Sequence, residues 1–379
     1  MADPVYLDYN ATTPLDPVVL DAMLPYLRTH FGNPSSDHVY GYRTHDALGV
    51  ARAQLATLLG AQPGEVIFTG GGSEANNLAL FGVAASLGAR GSHIITSTIE
   101  HPAVREPLHA LERQGYRVTE VAVDADGRVD PAQVAAAITD ETILVSIMHA
   151  NNEVGTLQDL RAISDIAHAR DVLVHSDAAQ SVGKLPVRLD ALRVDLLSVA
   201  GHKLYGPKGV GALVVRQGVA LEPHIRGAGH EHGLRAGTEN VPSIVGLGQA
   251  AELAGERLDA YQERTRRLRD MLHQAILAAA PDALLNGHHT ERLPNTLNLS
   301  FPGANAAALL AHIRDQVACS TGSACHAGHA EPSGVLLAMG RAPALGAAAL
   351  RLSLGWSTTE DEVQLAAGVI GAAVQGERR

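Results

Sequence analysis

The sequence predicts an α/β protein: a large domain built on a mainly parallel sheet flanked by helices, and a second, smaller α/β domain. Short β-rich runs alternate with stretches of helical length through the middle of the chain, which is typical of parallel strands joined by helices. The pattern changes after about Gly237, where a long helical stretch begins. The 379 residues are also more than one hydrophobic core usually holds, so we expect two domains.

Seven β-rich runs in the middle of the chain predict the strands of the large sheet. These runs are Val66–Thr69, His93–Thr98, Arg117–Val123, Thr142–Met148, Val172–Asp177, Val194–Val199 and Val210–Val215. The clearest helical stretches between them are Ser73–Leu87, Pro102–Gln114, Pro131–Ile138 and Leu157–Ala169. In such sheets ligands bind at the carboxyl ends of the strands. A motif that directly follows a strand is therefore well placed for chemistry.

The last third of the chain predicts the smaller domain. A helical stretch from Val241 to Ala279 comes first, and a shorter β/α segment runs from Leu293 to the end. That segment includes the candidate strands Thr296–Phe301 and Arg351–Leu354. We predict a large domain of residues 15–255 and a small domain formed by residues 1–14 and 256–379.

Composition excludes several classes of function. The formal net charge is -11, and an acidic surface repels phosphate backbones, so we expect no general nucleic-acid binding. No apolar stretch approaches the roughly 20 residues of a membrane helix, and the first residues lack the pattern of a signal peptide. Two cysteines in a chain of this length do not make a disulfide scaffold. We therefore expect a cytoplasmic protein that does not bind membranes.

A glycine-rich segment, residues 69–75, lies between a predicted strand and a predicted helix. Glycine lets the backbone approach an anion closely, and a helix N-terminus presents free N–H groups to it, so Gly72 and Ser73 are candidate phosphate ligands. The segment also matches G-x-G-x-x-A, which keeps a dinucleotide site open, with Glu100 as the ribose acid. A tight turn without a ligand is the third interpretation.

Asp177 and Lys203 each follow a predicted strand at the same edge of the sheet as the glycine segment. Chemistry with pyridoxal 5'-phosphate (PLP) needs a lysine for the Schiff base and an acid against the pyridinium nitrogen. Alone, Asp177 would more often be a helix cap and Lys203 a surface lysine. Together with a phosphate loop, they supply all three requirements of a PLP site.

Two further residues could act on a bound ligand. His101 follows another strand, where it could stack on a cofactor ring and shuttle protons, although a lone histidine is more often structural. Arg351 lies in a predicted strand of the small domain and could bind a carboxylate through two hydrogen bonds. The alternative for Arg351 is an ordinary surface ion pair.

Both cysteines fall in one segment rich in glycine and small polar residues, which predicts a surface loop. We expect Cys319 to be a buried small residue and Cys325 to be an exposed nucleophile, with His326 able to lower its pKa. Zinc binding by these residues with His329 is an alternative. The spacing fits no common structural zinc pattern, so we expect no metal.

Ten segments together resemble the cysteine desulfurases and their relatives the selenocysteine lyases, which are fold-type I PLP-dependent transferases of the class V aminotransferase group. They occur in the order of that family and span nearly the whole chain. The segments are Tyr6–Pro14, Gly32–Ser36, Gly70–Asn77, Glu100–Pro102, Asn151–Gly155, Asp177–Gln180, Gly201–Lys203, Arg235–Asn240, Arg292–Thr296 and Gly322–Cys325.

The resemblance implies a cofactor site. Lys203 would hold PLP, Asp177 would pair with the ring nitrogen, Gln180 would contact the phenolic oxygen, and His101 would stack over the ring. Asn152 would also contact the cofactor. The phosphate ligands would be Gly72, Ser73 and His202, with Thr238 reaching the phosphate of a neighbouring subunit in a homodimer.

The resemblance also implies an activity. Arg351, Asn152 and Asn10 would bind the substrate, and Cys325 would receive its sulfur as a persulfide. L-cysteine would yield L-alanine, and the sulfur would pass to an acceptor such as an iron–sulfur scaffold or a thiolation pathway. Ala200, where many bacterial desulfurases carry serine, and His326 are closer to the lyases, so release of selenide from L-selenocysteine stays the alternative.

Overall fold

The structure is a computed structural model, and it describes residues 3–321 and 332–377. Within these residues the strands are β1 (Val5–Tyr6), β2 (Val66–Thr69), β3 (His93–Ser97), β4 (Arg117–Val121), β5 (Thr142–Ser146), β6 (Leu173–Asp177), β7 (Leu196–Ala200), β8 (Gly211–Val215), β9 (Leu284–Leu285), β10 (Thr296–Ser300), β11 (Val317–Ala318) and β12 (Ala349–Ser353). The α-helices are α1 (Pro17–Arg28), α2 (Val39–Leu59), α3 (Gly72–Leu87), α4 (Pro102–Glu112), α5 (Pro131–Ala137), α6 (Leu160–His168), α7 (Leu189–Leu192), α8 (Val241–Ala279), α9 (Ala306–Ile313), α10 (Gly334–Ala338), α11 (Pro343–Gly346) and α12 (Glu360–Glu377).

Seven strands form the large sheet in the order β2-β8-β7-β6-β5-β3-β4. Only β8 runs antiparallel to its neighbours, β2 and β7. The predicted mainly parallel, seven-stranded sheet is therefore confirmed. Its parallel strands end at one edge, so β2, β3, β6 and β7 deliver the segments that follow them to the same place.

The large sheet is buried on both faces. On β2, Ile67 packs with side chains of α3 and α4, whereas the next residue, Phe68, packs with side chains of α2 and α8. Ile94 and Ile95 on β3 divide between the same two faces. Successive side chains of a strand point to opposite faces, so burial on both requires the continuous apolar runs that the sequence shows.

A second core lies in the last third of the chain. β10 is the centre of a three-stranded antiparallel sheet between β9 and β12, and β1 pairs in parallel with β11. Leu299 and Leu352 of this sheet pack with Ile370 of α12 and with Leu7 from the start of the chain. The first residues and the last third thus share one hydrophobic core.

The long helix α8 belongs to both cores. Its first turns contribute Leu247 to the core beneath the large sheet, and its later turns contribute Leu272 to the second core. The predicted boundary at residue 255 falls inside this helix. The division into residues 15–255 and residues 1–14 with 256–379 stays a prediction.

Predicted strands and helices agree with the structure to within about three residues, but the longer helices α1, α2 and α12 and several short elements, among them β1, β9, β11, α7, α10 and α11, were not predicted. In the first two turns of α2, Val39, Tyr40 and Tyr42 are exposed, so the apolar residues follow no single stripe. In the part of the chain that the structure describes, no helix combines the length and apolarity needed to cross a membrane.

Candidate active site

A cavity of about 440 Å³ opens at the carboxyl edge of the large sheet, where segments from both cores meet. It is lined by most of the predicted cofactor and substrate residues. These are Asn10, Gly72, Ser73, His101, Asn152, Asp177, Gln180, His202, Lys203 and Arg351. Residues that are up to 341 positions apart in the sequence are thus brought into one site.

Lys203 lies in the short turn directly after β7. Its Nζ donates to the carbonyl oxygens of Asn10 and Ala11, the latter at 2.9 Å. Burial lowers the pKa of Lys203 to about 8, the cation of Arg351 acts in the same direction, and the carboxylate of Asp177 opposes it. An amine with this pKa is partly neutral near physiological pH, which suits attack on an aldehyde.

Asp177 is the last residue of β6 and is buried. Its Oδ2 accepts from Asn76 Nδ2 at 2.7 Å, and its Oδ1 accepts from the Ala179 backbone N–H at 2.9 Å. Hydrogen bonds to both oxygens hold the carboxyl group in a fixed orientation. A fixed carboxyl group therefore lies at the base of the cavity, on the side of α3.

The first turn of α3, which we call the helix end of the cavity, presents backbone N–H groups that could bind an anion. Gly71 precedes the helix with φ 149°, and no side chain caps its first N–H groups. A Cβ on Gly72 would lie 3.2 Å from the Cβ of Ala200, so the chain packs closely here. Ser73 and His202 add polar side chains at the rim of this turn.

Glu74 would otherwise bring a negative charge to the helix end. Its Oε1 accepts from Arg235 Nε at 2.9 Å, and its Oε2 accepts from the Gly70 backbone N–H at 2.9 Å. The ion pair neutralises the carboxylate and the backbone bond holds it in place. A phosphate can therefore approach the helix without meeting an unpaired acid.

His101 caps helix α4, and its Nδ1 accepts from the Ala103 backbone N–H at 3.1 Å. The neutral ring therefore carries its proton on Nε2. Burial lowers the pKa of His101, the cations of Lys203 and Arg351 act in the same direction, and Asp177 opposes them. The ring lines the cavity as a neutral, flat surface.

Arg351, Asp8 and the Asn152 backbone form what we call the arginine end of the cavity. Arg351 Nη2 donates to Asp8 Oδ1 at 2.7 Å, and Nη1 donates to the Asn152 carbonyl at 3.2 Å. Arg351 is buried, and its Nε has no hydrogen-bond partner among the described residues. A carboxylate that entered the cavity could replace Asp8 on this guanidinium.

Asn10 lines the cavity but uses its side chain on the protein. Its Nδ2 donates to Thr296 Oγ1 at 2.8 Å and to the Asn152 carbonyl at 3.2 Å. Its Oδ1 accepts from Lys184 and Asn295, each at 3.2 Å. This arrangement suits a positioning role. Both Nδ2 hydrogens of Asn10 are already donated to protein atoms. The contact of Asn10 with substrate stays a prediction.

Two of the predicted residues, Thr238 and Cys319, do not line the cavity. Thr238 is exposed. Cys325, with His326 and His329, lies outside the described residues. Cys319 is partly buried, not fully buried as predicted. Its burial still raises the pKa of the thiol to about 12, with Asp8 acting in the same direction and Arg351 opposing it, so little thiolate is present at neutral pH. Over the ranges 3–321 and 332–377, no cluster of His, Cys, Asp and Glu is arranged to hold a metal ion.

Glu100 does not occupy the position that a dinucleotide site would need. Its Oε1 accepts from Ser97 Oγ at 2.6 Å and from the Met148 backbone N–H at 2.9 Å, beneath the cavity floor. Burial raises the pKa of Glu100 to about 8. Without an acid for the ribose at the rim, the glycine segment supports a single phosphate better than a dinucleotide.

The side chains around the cavity fit PLP. An amine, a buried carboxylate and a helix N-terminus for a phosphate surround one space, and a neutral imidazole offers a face for a ring. Sequence reasoning identified all four. It missed Asp8, Asn76 and Lys184, which hold these groups in place. Asp8 and Asn76 lie inside segments that carry the resemblance, and Lys184 lies four residues after one.

Comparison with known proteins agrees with this geometry. Residues 5–365 match the family model "Aminotransferase class-V". "Cysteine desulfurase IscS" of Dictyoglomus turgidum is 46% identical over 372 residues, which are 98% of this chain and 94% of that protein. "Cysteine desulfurase IscS" of Anaeromyxobacter sp. (strain Fw109-5) is 48% identical over 366 residues, which are 96% and 90% of the two chains.

Solved structures share the whole architecture. One titled "NIFS-LIKE PROTEIN" superimposes with a TM-score of 0.93 at 36% identity and covers 99% of this chain and 100% of its own. DndA from Streptomyces lividans has a TM-score of 0.79 at 40% identity, covering 92% and 99%. The predicted fold is therefore confirmed. This chain belongs to the class-V aminotransferase family, whose enzymes depend on PLP, and within that family it belongs to the cysteine desulfurases.

Proposed function

We propose that this cysteine desulfurase converts L-cysteine to L-alanine and transfers the sulfur to Cys325 as a persulfide, for delivery to an acceptor protein. The observation that carries the proposal is the meeting of Lys203, Asp177 and Arg351 in one cavity. An amine, a ring-nitrogen partner and a carboxylate ligand are the minimum set for acting on an α-amino acid.

Different residues around the cavity would contact different groups of the cofactor. Lys203 would bind its aldehyde carbon, Asp177 its ring nitrogen, and the helix end with His202 its phosphate. When bound, PLP supplies an electron sink for the α-carbon of the substrate. His101 would lie against the ring, and Gln180 would donate to the phenolic oxygen.

Lys203 would also move the substrate's α-proton. When it is not bonded to the cofactor, the ε-amine would lie beside the Asn10 and Ala11 carbonyls that it contacts in the structure. Its lowered pKa keeps a usable fraction unprotonated at neutral pH, as a general base requires. Arg351 would meanwhile exchange Asp8 for the substrate carboxylate and so fix the α-carbon near this amine.

Cys325 would take the sulfur. Its thiolate attacks the sulfur of the substrate, an S–S bond forms, and the electron pair of the broken C–S bond is protonated on carbon to give alanine. Cys325 follows the cavity-lining Ser320 by five residues, a length of chain that reaches at most about 17 Å. This length would allow the Cys325 thiol to reach a substrate bound in the cavity.

The test is alanine formation from L-cysteine and from L-selenocysteine under identical reducing conditions. We expect cysteine to be used at least as well as selenocysteine, and Cys325→Ser to abolish persulfide and alanine formation from cysteine while leaving the PLP absorbance intact. Cys319→Ser is the matched control and should keep activity. Unchanged turnover of cysteine by Cys325→Ser would contradict the role of Cys325. Use of selenocysteine alone would make the enzyme a lyase and direct attention to Ala200.

We further infer that the enzyme is a cytoplasmic homodimer in which Thr238 contacts the phosphate bound by the partner subunit. Four large apolar side chains near the start of α2 are exposed, which is unusual for a free surface. They are Phe31, Val39, Tyr40 and Tyr42. Analytical ultracentrifugation should give twice the 39.6 kDa chain mass. An iron–sulfur scaffold or a thiolation protein would receive the persulfide.

A further inference from the structure

Lys184 is a buried lysine that the proposed reaction does not use. It is 2% exposed and lies in the turns that follow β6. Both charged side chains that act on it, Lys203 and Arg351, are cations. In the described part of the chain no carboxylate pairs with it. A buried amine without an acid is costly unless its polar contacts are satisfied, so its contacts indicate its purpose.

The use of lysine at this position is itself informative. The chain has 29 basic residues, and only Lys184, Lys203 and Lys208 are lysines. A guanidinium stays charged and carries five N–H groups, whereas an amine can be buried neutral with only two. Burial and the neighbouring cations lower the pKa of Lys184 well below its usual range. The site therefore requires an amine.

Lys184 contacts the side-chain oxygens of two residues that line the cavity. Its Nζ donates to Gln180 Oε1 at 2.9 Å and to Asn10 Oδ1 at 3.2 Å. A neutral amine has two N–H groups, and these two acceptors use both of them. Gln180 Nε2 in turn donates to the Asn10 carbonyl at 2.9 Å, the same carbonyl that accepts from Lys203.

These contacts fix which atom of Gln180 faces the cavity. Its amide oxygen is turned to the Lys184 amine, and one N–H is bonded to the Asn10 carbonyl. The second N–H is left on the side of the cavity that Gln180 lines. Without Lys184, Oε1 would be a buried acceptor without a donor, and the amide would have to turn or shift to find one.

We propose that Lys184 is a positioning residue that holds the Gln180 amide with its N–H toward the cofactor, and holds the Asn10 carbonyl against Lys203. It does not touch the cofactor or the substrate. The proposal rests on PLP binding at this cavity and not on the identity of the sulfur acceptor. Its failure is therefore distinguishable from failure of the proposed desulfurase reaction.

The test is a pH titration of the visible absorbance of the PLP-loaded protein, without substrate. An N–H donated to the phenolic oxygen stabilises the less protonated form of the bound cofactor. We expect Lys184→Met, which keeps the length and removes the donor, to raise the midpoint of the titration by about one unit. Lys184→Gln, which retains N–H donors, should restore part of the shift.

Controls separate positioning from general stability. Lys208→Met removes an exposed lysine five residues after Lys203 and should leave the midpoint unchanged. The melting temperature of each apoprotein, measured in parallel, reports any purely structural effect. If Lys184→Met lowered the melting temperature but moved the midpoint no further than Lys208→Met, Lys184 would be structural only and the proposal would be overturned.

A double-mutant cycle tests whether Lys184 acts through Gln180. In a Gln180→Met background the amide is already absent, so adding Lys184→Met should move the midpoint no further. PLP dissociation constants of the same four proteins should show the same loss of effect. Full additivity of the two substitutions in both measurements would show that Lys184 acts independently of Gln180, against the proposal.

Discussion

The two ends of the cavity are built in different ways. The helix end is made of backbone in the first turn of α3, and close packing of Gly71 and Gly72 against Gly211 and Ala200 keeps it in place. The arginine end depends on the Arg351 and Asp8 side chains and the Asn152 carbonyl, which come from three distant segments joined by hydrogen bonds. A backbone site suits a group that stays bound, whereas an ion pair that can be exchanged suits a group that comes and goes.

The largest effect should follow a change that breaks the packing behind the helix end. A Cβ on Gly211 would lie 2.4 Å from the Val199 oxygen and 2.7 Å from the Gly71 carbonyl carbon, both backbone atoms. Gly211→Ala should therefore cost about 3 kcal/mol of unfolding free energy and weaken PLP binding at least about tenfold. Denaturant unfolding of the apoprotein and absorbance titration with PLP measure the two effects.

Gly49→Ala is the matched control for this substitution. Gly49 lies within helix α2, and a Cβ there would meet no atom within 4 Å. Alanine is the better helix former, so Gly49→Ala should leave PLP binding unchanged and raise stability by about 0.5–1 kcal/mol. Equal PLP affinity in the Gly211 and Gly49 variants would mean that the helix end tolerates movement of its backbone.

A change at the arginine end should affect substrate and spare the cofactor. Arg351→Lys keeps a charge but loses the two-pronged contact, so KM for L-cysteine should rise about 10- to 100-fold. The visible spectrum of the bound cofactor should stay as in the unmodified enzyme. Steady-state kinetics and absorbance measure both quantities on one sample.

Asp8→Asn tests the same contact by changing the ion-pair partner of Arg351. It removes the negative charge that pairs with Arg351 and competes with a substrate carboxylate. KM should therefore fall a few-fold, the opposite sign to Arg351→Lys. A rise in KM for both variants would show that Asp8 orients the guanidinium and is not displaced by substrate.

The last prediction changes no residue and concerns the amine between the two ends. Lys203 has a folded pKa of about 8, against 10.5 for an unperturbed lysine. Only the neutral amine attacks the aldehyde of PLP, so the rate of cofactor uptake by apoprotein should rise about tenfold per pH unit below pH 8 and then level off. Stopped-flow absorbance measures this rate. Free Nα-acetyl-lysine is the control, and the rate of its reaction with PLP should keep rising to about pH 10. The same pH profile for the apoprotein would contradict a lowered pKa of Lys203.

The sequence predicted the helix end better than the arginine end, for a physical reason. Gly72, Asp177 and Lys203 follow strands, and the edge of a parallel sheet brings such residues together whatever the packing around them. Arg351 could be named as a carboxylate ligand, but its pairing with Asp8 depends on how the two cores meet. No local pattern encodes that meeting.

The supporting residues were missed for a related reason. Lys184 and Asn76 have no direct role in the proposed reaction, so the requirements of PLP chemistry do not point to either residue. The scarcity of lysine was the one signal that could have found Lys184, since all three lysines fall between residues 184 and 208. Helices α1 and α2 were missed because their exposed apolar side chains blur the helical period.

The burial of Cys319 has a consequence for stoichiometry. Burial raises the pKa of the Cys319 thiol to about 12, so little thiolate forms at neutral pH and we expect this thiol to be a poor acceptor of sulfur. With Cys325 as its one reactive thiol, each chain would have a single outbound sulfur at a time. Sulfur-labelled cysteine would then load at most one labelled sulfur per chain. An acceptor protein that needs two sulfurs would have to bind twice, or receive one sulfur from each of two subunits.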